Sequence, residues 1–498
     1  MRSVRPAWLL LLALGALALS PAANAASGPG SFESSDATLN VVWRDSVRTA
    51  TDMVVPGPLK KDAMGRPCAI DLPTVIIDGV VRDRCPYVGD EAVSGKTLLI
   101  STPADVPVLR TMILWFGNAH HRNGAIPDSP LFGSSHVLID YNAFWVEDLY
   151  NYVLYTGDLA LARTVWPALV GLMDRWYPAQ VGPDGLLVNH LGDQDYAYIH
   201  RPGTTVAYYN AGYVRALRMA SEIAGWLGQS ASQKRWHGRI AGIATRFSAA
   251  FWDSKAGAFK DTTEGTVDHP QDGNAFAILA GLATKQQASS ALTYLDTKNK
   301  YSYGNSISDN DTWDRPTWGQ HASERVYPFI SYFEVLARFA SGLDTSATDL
   351  IRREWGYMAY NGPQTTMWET IGPFGGPPVD QHPSYDSGWS SGAAPALTQY
   401  VLGVTPSGLG FRRVHLAPHP ADVTWAKGDV PTPHGTVHVS WSYDQSGFKE
   451  SVRSPVGGTL TVPFGGRATF DGKPRASRSG HPTSVRFGPG AHTLVVHF

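Results

Sequence analysis

The run Ser230-Ala-Ser-Gln-Lys-Arg-Trp236-His-Gly-Arg-Ile240-Ala-Gly-Ile243-Ala-Thr-Arg-Phe247-Ser-Ala-Ala-Phe251 decides the fold class. Its large apolar residues recur at intervals of four, three, four and four, which places them on one stripe of an α-helix and on no single face of a strand. Just upstream, Tyr213, Leu217, Ala220, Ala224 and Leu227 repeat the pattern with smaller side chains. Between the two stripes lies Gly228-Gln-Ser230-Ala-Ser232, a glycine to end one helix and hydroxyls to cap the next. Tyr155-Thr-Gly157-Asp158 is a second break of the same kind. From Asp105 to about Val401 the period stays helical and yields roughly ten to twelve candidate helices. That is too many for a four-helix bundle, and there is no strict repeat of the sort a solenoid needs. The reading is therefore mainly α: a closed ring of helical hairpins, or α/α toroid, whose inner helices are apolar on all sides and whose loops at one end line a central pocket.

Both ends of the chain differ from this middle. At Gly403-Val-Thr-Pro406-Ser-Gly408 the texture changes, and beyond it Val437, Val439, Trp441 and Tyr443 alternate with His438, Ser440 and Ser442, the pattern of a strand with one buried face. Short apolar runs at Thr459 to Phe464 and His492 to Phe498 complete an expected antiparallel β-sandwich over residues 404–498. At the start, Arg2 and Arg5 precede the apolar run Trp8 to Leu19, and Ala23-Asn24-Ala25 supplies small residues for cleavage. Residues 1–25 read as a secretory signal, which makes the protein secreted or periplasmic. Residues 26–77 read as an arm, with one helix from Asp36 to Met53, leading into a catalytic ring at 78–403. No later segment has the apolar length of a membrane span. The formal net charge of −2 favours no polyanion, so nucleic acid is not an expected partner. Cys68 and Cys85 are the only cysteines, and in an exported chain a single disulfide between them is expected, the alternative being two buried thiols.

The densest chemistry lies in Asp78-Gly-Val-Val-Arg82-Asp83-Arg-Cys85-Pro-Tyr87-Val-Gly-Asp90-Glu91. Gly79, Pro86 and Gly89 are turn residues, so these carboxylates are expected on a loop with their side chains free to converge. A further acid, Glu369 in Thr365-Thr-Met-Trp368-Glu369, has a similar aromatic and glycine-flanked setting. Two carboxylates brought together by the fold are what glycosidic bond hydrolysis requires. The competing reading of the loop is an ion-pair network that only fixes its shape. Sixteen tryptophans, twenty-one tyrosines and eighteen phenylalanines fill a large core or give faces on which sugar rings stack. Trp145, Trp368 and Trp389 stand between those two roles, as Asp193 and Asp195 stand between loop capping and substrate contact. No cluster has metal-ligand spacing, so no metal or cofactor is expected.

From Phe32 to about Trp441 the chain resembles the α-L-rhamnosidases of the six-hairpin glycosidase group. The resemblance rests on order and spacing: Phe32-Glu-Ser-Ser-Asp36, Leu39-Asn-Val-Val-Trp43, the 78–90 loop, Asp140-Tyr141, Leu154-Tyr-Thr-Gly157-Asp158, Tyr327-Pro-Phe-Ile-Ser331 and Ile351-Arg-Arg-Glu-Trp-Gly356. Thr366-Met-Trp368-Glu369, Gly388-Trp389-Ser-Ser-Gly392 and Tyr400-Val-Leu-Gly403 follow, and Phe411 to Pro418 with Trp425-Ala-Lys-Gly428 match the family's C-terminal domain. The resemblance implies an (α/α)6 catalytic domain and an inverting, exo-acting hydrolase that releases terminal L-rhamnose from a carbohydrate. It places Asp83 as general acid, Glu369 as general base, and Asp78, Arg82 and Asp90 on sugar-binding positions, with Tyr87 where the family has tryptophan. Departures fall at Asp83, where many members carry glutamate, and at Gln194 and Ser387, where the family has tryptophan and histidine. The alternatives that remain are a related toroid enzyme acting on another sugar, such as a uronic-acid-linked substrate, by hydrolysis or elimination, and a carbohydrate-binding protein without turnover.

Overall fold

A computed structural model describes residues 27–498 except 63, 82, 132–135, 191–194, 198, 200, 202, 266, 311–323, 364 and 377–383. The signal segment 1–25, Arg82, Asp193 and Gln194 lie outside the described residues. In chain order the first helices are α1 (Ala37–Asp52), α2 (Val88–Ser101), α3 (Val106–Asn118), α4 (Ile139–Thr156), α5 (Leu159–Gly171) and α6 (Tyr177–Ala179), the last two joined by a π turn at Leu172–Trp176. They are followed by α7 (Ala207–Trp226), α8 (Ser230–Phe251), α9 (Gln271–Leu279), α10 (Lys285–Lys298), α11 (Pro328–Ala340), α12 (Asp344–Asn361) and α13 (Ala393–Ala396), which runs on as a π turn Leu397–Val401.

Helices α2, α4, α7, α9, α11 and α13 form the inner ring, each packed on the next, with α13 returning to α2. The partners α1, α3, α5, α8, α10 and α12 stand outside them. Sequence explains the division. The stripe Trp236, Ile240, Ile243, Phe247 and Phe251 is the buried side of α8, while its other faces are charged and exposed. On α2 every residue but Lys96 is buried, as a helix walled in on all sides requires. The breaks are capped as their residues direct. Gly157 ends α4 at φ +76°, and the Asp158 carboxylate accepts from the N–H of Leu161 at 2.9 Å to start α5.

Four short ribbons decorate the ring: β2 (Val54–Pro56) with β5 (Thr74–Ile76), β3 (Leu59–Lys61) with β4 (Pro67–Ile70), β6 (Trp252–Asp253) with β7 (Ala258–Phe259), and β8 (Lys300–Tyr301) with β9 (Gly304–Asn305). The C-terminal region is built from β10 (Val404–Pro406), β11 (Val414–Leu416), β12 (Trp425–Val430), β13 (Val437–Asp444), β14 (Gly447–Ser454) and β15 (Gly458–Val462). It is completed by β16 (Arg467–Phe470), β17 (Lys473–Arg475), β18 (Thr483–Phe487) and β19 (Gly490–His497). One sheet has the order β10-β11-β15-β18; the other runs β1-β12-β13-β14-β19-β16-β17, where β1 is Ser31–Ser34. Val437, Val439 and Trp441 are buried, and the indole N–H of Trp441 donates to the carbonyl of Val401 at 2.9 Å, joining sandwich to ring.

Residues 26–77 are thus shared between the two parts. β1 pairs antiparallel with β12, Phe32 opposite Gly428, while α1 packs on α12 and α13 and belongs to the ring. The acidic stretch also differs from the loop read in the sequence: Asp90 and Glu91 sit in the first turn of α2, where a helix start favours acids. Gly89 belongs to that turn because the Tyr141 ring lies 2.4 Å from where its Cβ would be.

Candidate active site

The segment Ser384 to Gly388 assembles the site. Its backbone holds the acidic loop on one side, through Val80 N–H to the Asp386 carbonyl at 3.2 Å and Gly388 N–H to the Asp78 carbonyl at 2.8 Å. On the other side Glu369 N–H donates to the Ser384 carbonyl at 2.8 Å, and Ser384 N–H donates to Glu369 Oε2 at 3.1 Å. The Ser384 hydroxyl also accepts from Val81 N–H at 3.2 Å. Two stretches nearly three hundred residues apart in sequence are therefore fastened to one short strip of chain.

Asp78 receives a hydrogen bond from the Ser387 hydroxyl at 3.1 Å. Its carboxyl lies within hydrogen-bonding reach of that of Asp90. Burial, and then the neighbouring Asp78, push Asp90 well above the usual carboxylate range, against the hydrogen bond that Tyr141 donates to its Oδ2 at 3.2 Å. Tyr87 precedes α2, is buried, and its carbonyl accepts from Asp90 N–H at 3.2 Å.

Asp83 is buried and adopts φ +53°, a left-handed conformation unusual for a residue other than glycine or asparagine. Its Oδ1 is ion-paired with Arg66, which also pairs with Asp62. Cys68 and Cys85 form a disulfide, and each lies two residues from one member of the Arg66–Asp83 pair, so the bridge fixes the β3–β4 ribbon against the acidic loop. Arg66 was missed in the sequence; the cysteine spacing was the signal that could have found it.

Glu369 is buried, and its own carbonyl accepts from the indole N–H of Trp389 at 2.8 Å. Trp389 stacks on Phe329 with ring centres 5.1 Å apart, and Trp368 packs edge-on against Tyr357 and Tyr385. The Trp389 indole holds the Glu369 segment through its backbone carbonyl, and the Trp368 ring through packing alone. Trp145 is corrected outright. It is fully buried between the ring layers, with its N–H on the Ile113 carbonyl at 3.2 Å and its benzo edge 3.0 Å from the Cβ position of Gly117. No face of it is open to a sugar. Phe144 is core as well, set among Phe276, Phe329 and Phe333.

Asp195 lies deeper, fully buried. Its Oδ1 accepts from the N–H groups of Ala197 and Ile199 at 3.1 and 3.0 Å, and its Oδ2 from the Tyr209 hydroxyl at 2.8 Å. Arg201 stands 3.8 Å from it and also pairs with Asp261 and Asp272. Three carboxylates around one guanidinium leave excess negative charge in a buried place. Burial raises Asp261 to about 7 and Asp272 to about 6. Tyr196, next to Asp195, touches Phe329 at 5.7 Å, so a chain of rings joins this cluster to Trp389. Among the described residues no group of three or more His, Cys, Asp or Glu is arranged to hold a metal ion.

Family models of two kinds match the chain: the bacterial alpha-L-rhamnosidase 6 hairpin glycosidase domain over residues 67–308, and the bacterial alpha-L-rhamnosidase C-terminal domain over residues 403–473. A curated alpha-L-rhamnosidase from Alteromonas sp. (strain LOR) is 30% identical over 129 residues, 23% of this chain and 12% of that protein. The solved GH78 family rhamnosidase of Bacillus sp. GL1 superposes with a TM-score of 0.64 at 24% identity, over 83% of this chain and 40% of that one. The Streptomyces avermitilis alpha-L-rhamnosidase complexed with L-rhamnose gives a TM-score of 0.70 at 18% identity, over 94% and 42%. Ring, sandwich and opposed acidic segments define a six-hairpin glycosidase. Within that class the chain belongs to the bacterial α-L-rhamnosidase family. It spans less than half the length of each of these relatives.

Proposed function

We propose that the protein is an exported, exo-acting α-L-rhamnosidase that works with inversion. The observation that carries the reading is the joining of the 78–90 stretch and Glu369 through Ser384 to Gly388, which sets carboxyls from two distant parts of the chain at one end of the ring. In an inverting reaction one carboxyl protonates the leaving oxygen while another, roughly 6.5–9.5 Å away, activates a water on the opposite face of the sugar. Asp83 is assigned the first role and Glu369 the second. Asp78, Asp90, Tyr87 and, outside the described residues, Arg82 and Asp193 are assigned to sugar binding, with Asp195 and Trp389 shaping the floor.

A second assignment of the acid is favoured by one feature. Arg66 occupies the Asp83 carboxyl, so proton donation from Asp83 requires the guanidinium to move aside as substrate enters. Burial and the neighbouring Asp78 push Asp90 well above the usual carboxylate range, in the direction a proton donor needs. Incubation with an aryl α-L-rhamnoside, following the released anomer by NMR, tests the whole reading. Release of the β anomer, with both Asp83→Asn and Glu369→Gln reduced by at least a thousandfold, supports it. Full activity in Glu369→Gln overturns it, and an active Asp83→Asn beside an inactive Asp90→Asn moves the acid to Asp90.

A further inference from the structure

The outer face of the seven-stranded sheet is largely exposed along β12, β13 and β14, and its side chains fall into registered rows. Trp425, Ser442 and Lys449 stand in one row across β12, β13 and β14. Lys427, Ser440, Ser451 and Thr493 form the next, reaching β19, and Asp429, His438, Arg453 and Ala491 the third. With strands about 4.8 Å apart, the platform from β12 to β19 is ~14 Å wide. The short side chains of Ser440, Ser451, Ala491 and Thr493 leave a depression of about 410 Å³, rimmed by His438, Arg453, Asp471 and His492.

The charges on this face sort themselves. Lys427 pairs with Glu33 at 2.8 Å, His438 with Asp429 at 2.6 Å and His492 with Asp471 at 2.8 Å. Arg453 at the rim and Lys449, two rows away on the same strand, make no ion pair among the described residues. In the Lys449 row Trp425 is 38% exposed, an uncommon cost for the largest apolar side chain on an otherwise polar sheet. A partly exposed indole with the Lys427 ammonium 6.0 Å from its ring centre, a row of hydroxyls and two cations outside any ion pair suit a pyranose chain that carries negative charge. The ring face takes the C–H side of a sugar, the hydroxyls exchange hydrogen bonds with its rim, and the guanidinium takes a carboxylate in two parallel hydrogen bonds.

We propose that this sheet face is a second glycan-binding site, separate from the pocket of the helical ring, and that it takes an acidic polysaccharide whose charge is a uronate carboxylate. Trp425 is its stacking platform and Arg453 its carboxylate clamp. Composition conceals the site, because the formal charge of the whole chain is −2 and long-range attraction to a polyanion is absent. The site follows from where the cations stand.

The test is affinity electrophoresis of the full chain in native gels containing polygalacturonate, dextran sulfate or neutral dextran. Polygalacturonate is expected to retard the protein in a saturable way, with dextran and dextran sulfate at least fivefold weaker. Trp425→Ala and Arg453→Gln are each expected to weaken the retardation at least fivefold. Both leave hydrolysis of an aryl α-L-rhamnoside within twofold, so a failure of the catalytic reading does not disturb this one. Equal retardation by dextran sulfate reduces the effect to general polyanion attraction and overturns the proposal. So does an unretarded wild type, or retardation that neither substitution changes. If Trp425→Ala lowers the melting temperature, Arg453→Gln, on an exposed strand position, decides alone.

Discussion

Asp90 shows how far a single side chain can depart from its ordinary state when its surroundings are fixed. It is buried, faces Asp78, and has one phenolic donor, and burial pushes it well above the usual carboxylate range. Asparagine is a near match to its protonated form in charge and shape. Asp90→Asn is expected to retain activity on an aryl rhamnoside within about tenfold if Asp83 is the acid, whereas Asp90→Ala, which opens a cavity and strands the Tyr141 hydroxyl, loses far more. A comparison of kcat/KM for the two variants checks this. Glu450 on β14 is a second buried acid, facing Trp441 and Leu494 across the sheet with no hydrogen-bond partner on either oxygen, and burial raises it to about 8. Its folded value lies above the unfolded value of 4.5, so the protein loses stability as pH rises from about 4.5 to 8. Glu450→Gln is expected to melt like the wild type near pH 4 and to gain on it toward pH 8, on the order of 4 kcal/mol at the upper end. Parallel melting curves across that range contradict it.

At the scale of elements, the disulfide and the start of α2 hold the acidic stretch in place. Cys68 and Cys85 close a loop of 17 residues, and their loss is expected to cost ~3 kcal/mol by the chain-entropy argument. Because the bridge also holds Arg66 against Asp83, Cys68→Ser with Cys85→Ser is expected to reduce activity beyond what lowered stability explains; denaturant titration and kinetics on the same samples separate the two. Gly89→Ala drives a methyl group into the Tyr141 ring and is expected to destabilise by about 1–3 kcal/mol and to release Asp90 from its phenol. Elements were legible in the sequence where one period ruled. The stripe of α8 and the alternation of β13 came through because each has one wet face and one dry face. α2 was not read as a helix before Asp105, since a helix buried on all sides has no amphipathic signature, and its glycine and acids resemble a turn. Trp145 was misread for a related reason: a tryptophan on an inner helix looks the same whether its ring faces the axis or the outer layer. Arg66 came into the site through a tertiary pairing whose one trace in the sequence is its place two residues from Cys68.

For the whole molecule, the ring was foreseeable from the number of hairpins and the sandwich from the change of texture at Gly403. The sharing of residues 27–77 between them was not. β1 is only four residues long, and nothing in Ser31-Phe-Glu-Ser34 distinguishes an edge strand of a distant sheet from an extended lead-in. A protein lacking residues 27–35 is expected to expose the edge of β12, lose the Phe32–Trp43 contact and aggregate on warming, as light scattering would report. The same strand has a consequence for how the chain is made. Its partner β12 begins almost four hundred residues later, and the last inner helix of the ring comes only shortly before it. β1 therefore waits unpaired until residues 425–430 have been made, and its docking on β12 comes after the inner helices of the ring are in place to be closed.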